Sequence, residues 1–152
     1  MQNRGAAFSL DARSPRALAP GRLPFHTLHP ALAVLKDGRV MAYGTMGGDG
    51  QPQTQAALFT RHVLYGMPLD RAIDAPRWLL GRTWGSPLTN LRVEPRLSEQ
   101  LIDRLMSAGH DVDVLDEPHS DLMGHAGAAV LHADGSLEAA HDPRADGGAD
   151  GV

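Results

Sequence analysis

Two pairs of short apolar runs, each joined across an Asp-Gly step, constrain this chain more than any other feature. Residues 29–36 (HPALAVLK) and 39–45 (RVMAYGT) flank Asp37-Gly38, and residues 124–132 and 137–140 flank Asp134-Gly135. Asp-Gly suits a two-residue turn in which both positions take positive φ, so each pair is expected to form a β-hairpin. Between the hairpins the apolar period lengthens. From about Gln51, the residues Ala56, Phe59, Val63 and Leu64 share one face of a predicted helix with Pro52 in its first turn. Gly66 stops that helix, and residues 68–75 read as a shorter one ahead of Pro76. Ser98 is the expected N-cap of a helix over residues 99–108, ended by Gly109, with Leu101, Ile102 and Leu105 as its buried stripe. Residues 77–80, 91–94 and 112–115 read as short strands. The expected class is α+β, a mainly antiparallel sheet covered by helices.

Composition narrows the function classes. With 152 residues, 42% of them hydrophobic, the chain can bury a core and is not a disordered acidic tail. Aromatic residues make up only 5%, so the core must be built from Ala, Leu and Val. No cysteine means no disulfide, no thiolate metal ligand and no Cys nucleophile. A net charge of −4, with arginines scattered rather than clustered, argues against nucleic acid as a partner. No apolar run approaches the ~20 residues of a membrane helix. No signal-peptide pattern opens the chain, which favours a cytoplasmic over a periplasmic setting without fixing it. Residues 1–152 read as one unit without repeat or internal boundary. Residues 1–24, with Pro15, Pro20 and Pro24, form an irregular lead-in, and the Gly/Asp-rich residues 142–152 are expected as a loose tail.

The chemistry concentrates at Gly47-Gly48-Asp49-Gly50. A strand that ends in two glycines and leads into a helix exposes consecutive backbone N–H groups, which can stabilise an oxyanion or hold a carboxylate or phosphate. The alternative is a tight strand-to-helix connection and nothing more. No Gly-Lys-Ser/Thr follows, so this is not a phosphate-binding loop, and the GxGxxG fingerprint is incomplete. His26 and His29 stand three apart, but a metal would need further ligands, and a surface or hydrogen-bonded role accounts for most of the eight histidines. Neither GxSxG nor HExxH occurs. The residues alone thus describe an anion-stabilising turn without a nucleophile.

The run PFHTLHPALAVLKDGRVMAYGTMGGDGQPQTQ resembles the γ-glutamyltransferase (γ-glutamyltranspeptidase) family, in which a Pro-Leu-Ser-Ser-Met-Ser-Pro segment precedes a hairpin and a Gly-Gly turn. AIDAPRW, LRVEP, AGHDVDV and HDPRADGGADG resemble that family's closing half in the same order, so the likeness spans nearly the whole chain. It implies part of an N-terminal nucleophile hydrolase αββα sandwich, the C-terminal portion of a small subunit. In that family a precursor cleaves itself and a new N-terminal Thr attacks an amide. No cofactor and no metal are implied. Gly47 and Gly48 match the glycine pair of the oxyanion hole, and His26 and Thr27 match the serine pair that holds a donor carboxylate.

The departures are informative. Asn3-Arg4-Gly5-Ala6-Ala7-Phe8 matches a family stretch whose second Asp pairs with the donor ammonium, yet Ala7 stands there. A methyl cannot replace a charge-assisted hydrogen bond worth about 1.5–3 kcal/mol. Arg4 adds a possible carboxylate fork. The resemblance is closest to the γ-glutamyltransferase-like branch that includes oxamate amidohydrolase, and oxamate is a carboxylate beside an amide with no ammonium. None of Thr27, Thr45, Thr54, Thr60, Thr83 or Thr89 can act as an N-terminal nucleophile, so the chain alone is expected to be inactive. Two functions remain open: part of an amide-cleaving enzyme acting on a small-molecule amide, or a non-catalytic binding or assembly module of the same fold. In either case the expected partners are a preceding N-terminal part of the same protein and, through uncovered apolar surface, a second copy.

Overall fold

The computed structural model describes residues 3–82 and 87–150; Thr83 lies outside the described residues. Its centre is a four-stranded antiparallel sheet in the order β1-β2-β6-β7, from β1 (Ala31–Val34), β2 (Val40–Thr45), β6 (Ala126–Leu131) and β7 (Leu137–His141). The two hairpins are those expected, and β2 joins them by pairing along its length with β6, Val40 opposite Leu131 and Thr45 opposite Ala126. Their turns differ from expectation. Gly38 N–H donates to Leu35 O (3.1 Å) and Leu35 N–H to Arg39 O (2.9 Å), a three-residue loop rather than a two-residue one. The second hairpin repeats it, with Gly135 N–H to His132 O (2.9 Å) and His132 N–H to Ser136 O (2.8 Å). Gly38 and Gly135, at φ +89° and +87°, supply the left-handed residue that closes such a loop. Asp37 and Asp134 each accept a backbone N–H two residues on, from Arg39 and Ser136, which fixes the turn without requiring positive φ at the Asp.

One face of this sheet carries the core. Met41, Ala126 and Val130 meet Leu58, Leu69 and Ile73 from α1 (Gln51–Phe59) and α2 (Leu69–Asp74), and Tyr43 stacks on Phe59 at 5.6 Å between ring centroids. Helix α1 begins at Gln51 as expected, but its inward face is not the apolar one read from the sequence. Gln51, Thr54, Ala57 and Leu58 are buried; Phe59 and Val63 join the core edge, whereas Ala56 and Leu64 face outward. The helix continues into a π-helical turn, Thr60–Leu64, whose wider spacing breaks the 3.6-residue period. Polar contacts made by Gln51 and Thr54 bury the first turn, which a hydrophobic pattern cannot reveal.

A second, three-stranded sheet has the order β3-β4-β5, from β3 (Trp78–Leu80), β4 (Leu91–Val93) and β5 (Val112–Val114). β3 and β4 pair antiparallel, but β4 and β5 are parallel because α3 (Glu99–Ser107) crosses between them. Ser98 caps α3 through Leu101 N–H (3.3 Å), and Gly109 at φ +93° follows its end, both as expected. The buried stripe is corrected: Leu101 is 42% exposed, and no residue of α3 is fully buried. Leu101 and Leu105 instead line an open apolar cleft of about 560 Å³ with Trp78, Leu80, Leu91 and Leu97.

Among the described residues the outer face of the four-stranded sheet is largely exposed, with Ala149 and Asp150 reaching only the side of Ala129, Leu137 and Ala139. Register places Leu32, Val34, Ala42, Leu131 and Leu137 side by side on it, and Leu137 is 80% exposed. The tail expected to be loose from residue 142 instead opens with two fully enclosed charges, Asp142 and Arg144, because both are needed in the ion cluster described next.

Candidate active site

Strand β2 ends at Thr45 and hands over to Met46, Gly47 and Gly48. Gly47 (φ +141°) and Gly48 (φ +56°) turn the chain into the 3₁₀ turn Gly48–Gly50, which leads directly into α1. Both φ values lie where L side chains are strained, which is why glycine occupies both positions. Among the described residues the Gly48 N–H meets no acceptor, so at the N-terminus of α1 it remains available to an anionic oxygen.

Two segments flank the turn. On one side, Gln51 Nε2 donates to Thr27 O (2.8 Å) and Gln55 Nε2 to His29 O (2.6 Å), tying residues 27–29 along the first turns of α1. A hollow of about 280 Å³ opens there, lined by Leu28, His29, Pro30, Gly44, Thr45 and Gln51. Thr27 Oγ1 and Gln51 Oε1 are buried with no partner among the described residues, two polar atoms able to take a ligand. On the other side lies the loop through the 3₁₀ turn Asp121–Met123 and Gly124. His125 O accepts Met46 N–H (3.0 Å), and Met123 O accepts the Thr54 hydroxyl (3.1 Å).

Behind that loop sits a closed charge cluster. Arg77 pairs with Asp142 (2.6 Å), Arg144 with Asp142 (3.0 Å), and Arg144 Nε donates to Glu94 (2.7 Å). Arg77 also donates to Gly124 O (2.8 Å) and Ile73 O (2.9 Å), while Asp142 accepts Ala126 N–H (2.6 Å) and Glu94 accepts Arg77 N–H (2.9 Å). Two guanidinium groups balance the two carboxylates, Arg96 reaches Glu94 from the rim (3.7 Å) while pairing with Asp74 (3.2 Å), and the backbone contacts supply further hydrogen bonds. Burial, with Arg144 alongside, pushes the Arg77 pKa down to about 10, still charged at neutral pH. Burial alone would raise Asp142, but Arg77 and the Ala126 and Arg144 N–H groups outweigh it and hold its carboxyl below the ordinary value. Asp74, at the rim, is held low by its hydrogen bond to His119 (2.8 Å) and by Arg96.

Of the residues expected from the sequence, Gly47, Gly48 and Thr27 share one neighbourhood, Thr27 through Gln51. His26 is exposed one residue earlier. Arg4 and Ala7 lie on a separate 3₁₀ turn, Asn3–Ala7, half-buried. No three His, Asp or Glu side chains come together as a metal site among the described residues. Sequence reasoning passed over Gln51, Thr54, Gly124 and the four clustered charges. The available signal is weak: Arg77 and Glu94 each flank a short apolar strand, while Asp142 and Arg144 stand in a polar, Gly/Asp-rich segment where charge is unremarkable.

The chain has clear relatives among known proteins. The γ-glutamyltranspeptidase family model matches residues 1–152. The oxamate amidohydrolase proenzyme of Klebsiella pneumoniae is 62% identical over 150 residues, covering 99% of this chain, and a glutathione hydrolase-like proenzyme of Bacillus subtilis is 46% identical over 100% of it. The chain spans only 28% and 29% of those relatives' lengths. A γ-glutamyltranspeptidase from Pseudomonas nitroreducens, solved in complex with L-DON, superposes with a TM-score of 0.71 at 22% identity, over 92% of this chain and 69% of that one. The chain thus shares the fold of that enzyme, an α+β arrangement with a mainly antiparallel sheet covered by helices. By sequence and fold alike, the chain belongs to the γ-glutamyltranspeptidase family.

Proposed function

We propose that this chain is the C-terminal segment of an amide-cleaving proenzyme and supplies its oxyanion hole and part of its substrate wall. The observation that carries the reading is the Gly47–Gly48 turn, two positive-φ glycines just ahead of α1 with the Gly48 N–H meeting no acceptor among the described residues. A preceding segment contributes the Thr nucleophile at a new N-terminus, whose own amine serves as base. Attack on the amide carbonyl puts negative charge on its oxygen, which the Gly47–Gly48 backbone stabilises; the C–N bond then breaks, the nitrogen leaving as ammonia or amine with the proton that the base took from the Thr hydroxyl, and water or an acceptor amine resolves the threonyl ester. Removing one such donor in a preorganised site costs about 10²–10³ in kcat.

The donor is a small carboxylate amide such as oxamate rather than a γ-glutamyl compound. Ala7 offers no partner to an α-ammonium, whereas Arg4, His26 and Thr27 suit a carboxylate, and Thr27 Oγ1, without a partner among the described residues, supports a substrate contact on that wall. The relative named as an oxamate amidohydrolase, at 62% identity, supports the same choice. The test is amidase activity of the full-length proenzyme on oxamate and on a γ-glutamyl anilide, with and without Gly48→Pro. Oxamate turnover that the substitution abolishes supports the reading. Comparable turnover of both substrates removes the donor preference, and no activity on any small amide favours a non-catalytic module.

A further inference from the structure

We propose that Gly124 and Arg77 are positioning residues for the Gly47–Gly48 turn, Gly124 by lacking a side chain and Arg77 by clamping the loop that carries it. The inference rests on the oxyanion-hole reading and extends it to residues that touch no substrate.

An oxyanion hole works only if its donors are held in place before charge develops. Two adjacent glycines cannot hold themselves, because neither has a side chain to anchor and both have the widest backbone freedom. Their rigidity must come from what leans on them. The 121–125 loop does so on the strand side: its His125 carbonyl takes the Met46 N–H (3.0 Å), and Gly124 Cα stands 3.3 Å from where a Cβ on Gly47 would be. The approach is closest at Gly124 itself. A Cβ there would fall 2.1 Å from Met46 O and 3.0 Å from Thr45 Oγ1. The obstructing atom is backbone, not a movable side-chain tip, so any larger residue displaces the peptide that enters the Gly47–Gly48 turn.

The loop is in turn held from behind. Arg77 Nη1 donates to Gly124 O (2.8 Å), and the Thr54 hydroxyl donates to Met123 O (3.1 Å). Arg77 has little freedom of its own, fixed by Asp142 (2.6 Å) and Ile73 O (2.9 Å) in an enclosed site. The positive φ of Gly124 (+75°) does not by itself distinguish this glycine, since Gly135 has φ +87°; but a Cβ at Gly135 meets nothing within 4 Å. Gly135 therefore provides a matched control, with the same backbone strain on substitution and no close approach.

The test is steady-state kinetics on the processed full-length enzyme, with whichever of oxamate and γ-glutamyl-p-nitroanilide the wild type turns over. Gly124→Ala is expected to lower kcat about 100-fold, the cost of a roughly 1 Å misplacement, with KM changed less than about threefold. Gly135→Ala is expected to keep the wild-type kcat despite a lowered Tm. Equal kcat values for the two variants overturn the inference. Should Gly124→Ala fail to yield folded protein, Thr54→Val decides: a kcat reduced by about fivefold or more at unchanged KM supports the positioning role, and a wild-type kcat overturns it. An active enzyme that loses activity with Gly48→Pro but tolerates Gly124→Ala sinks this inference alone. A wild type without amidase activity, or one indifferent to Gly48→Pro, sinks the oxyanion-hole reading and this inference with it.

Discussion

The two ends of the β2–β6 pair are built from the same materials to opposite effect. At one end, next to Val40 and Leu131, Gly38 and Gly135 close hairpin loops whose backbone hydrogen bonds are all local. At the other, next to Thr45 and Ala126, Gly47 and Gly124 meet across a sequence separation of more than seventy residues, with Gly48 next in the turn and buried charges behind the loop. Positive φ is common to both ends. What differs is the neighbour: a Cβ at Gly135 would meet nothing within 4 Å and one at Gly38 only the Ala133 methyl of the adjoining loop (3.1 Å), whereas one at Gly124 would strike the Met46 carbonyl (2.1 Å). A glycine required by a turn is a topological device; one required by a neighbouring backbone can be a functional one.

The sharpest way to break this contrast is to remove the support at one end. Arg77→Met leaves Asp142 buried without its main partner and should destabilise the fold by about 3–5 kcal/mol, measured by denaturant unfolding. A loss below about 1 kcal/mol would show that the loop behind the turn is not held by the cluster. At the hairpin end the effect is smaller. Gly135→Ala should cost about 1–2 kcal/mol, the strain of a left-handed L residue, and leave the site unaffected. Away from both ends, Ser98→Ala should cost about 1 kcal/mol through loss of the α3 cap, and a larger loss would mean that α3 supports more than its own cleft.

Acid offers a titration of the same comparison. Asp142 and Asp74 have pKa values depressed in the folded state, so their stabilisation is present above the unfolded value near 3.8 and lost as pH falls through the folded one. The Tm should therefore be level from neutral pH to about 5 and fall below about 4. In Arg77→Met that acid-dependent loss should shrink, because the cation that lowers Asp142 is gone. An identical acid profile in the two proteins would separate Arg77 from the stability of the cluster.

The same contrast explains what could be read from the sequence. Local features were legible: Asp-Gly marks both hairpins, Ser98 the α3 cap, and the paired glycines after β2 the candidate site. Even there the three-residue loops escaped notice, because Asp-Gly fits both loop lengths and only the hydrogen-bond pattern separates them. The inward face of α1 departs from the apolar pattern because Gln51 and Thr54 are buried through polar contacts to Thr27 and Met123, and the π-helical turn shifts the apolar period. The α3 stripe faces an open cleft rather than the core, since amphipathicity reports an apolar face and not what covers it. Gly124, Arg77 and Asp142 were invisible as a unit because their meaning lies in contacts between segments far apart in the chain.

One measurement tests the central claim most directly. The mature enzyme should be crystallised with a tetrahedral mimic of the amide adduct bound to its nucleophile. The account predicts that the mimic's anionic oxygen lies about 2.7–3.1 Å from the Gly48 backbone nitrogen, at the mouth of the Gly47–Gly48 turn. An oxygen held by side chains elsewhere, more than about 4 Å from that nitrogen, would contradict it.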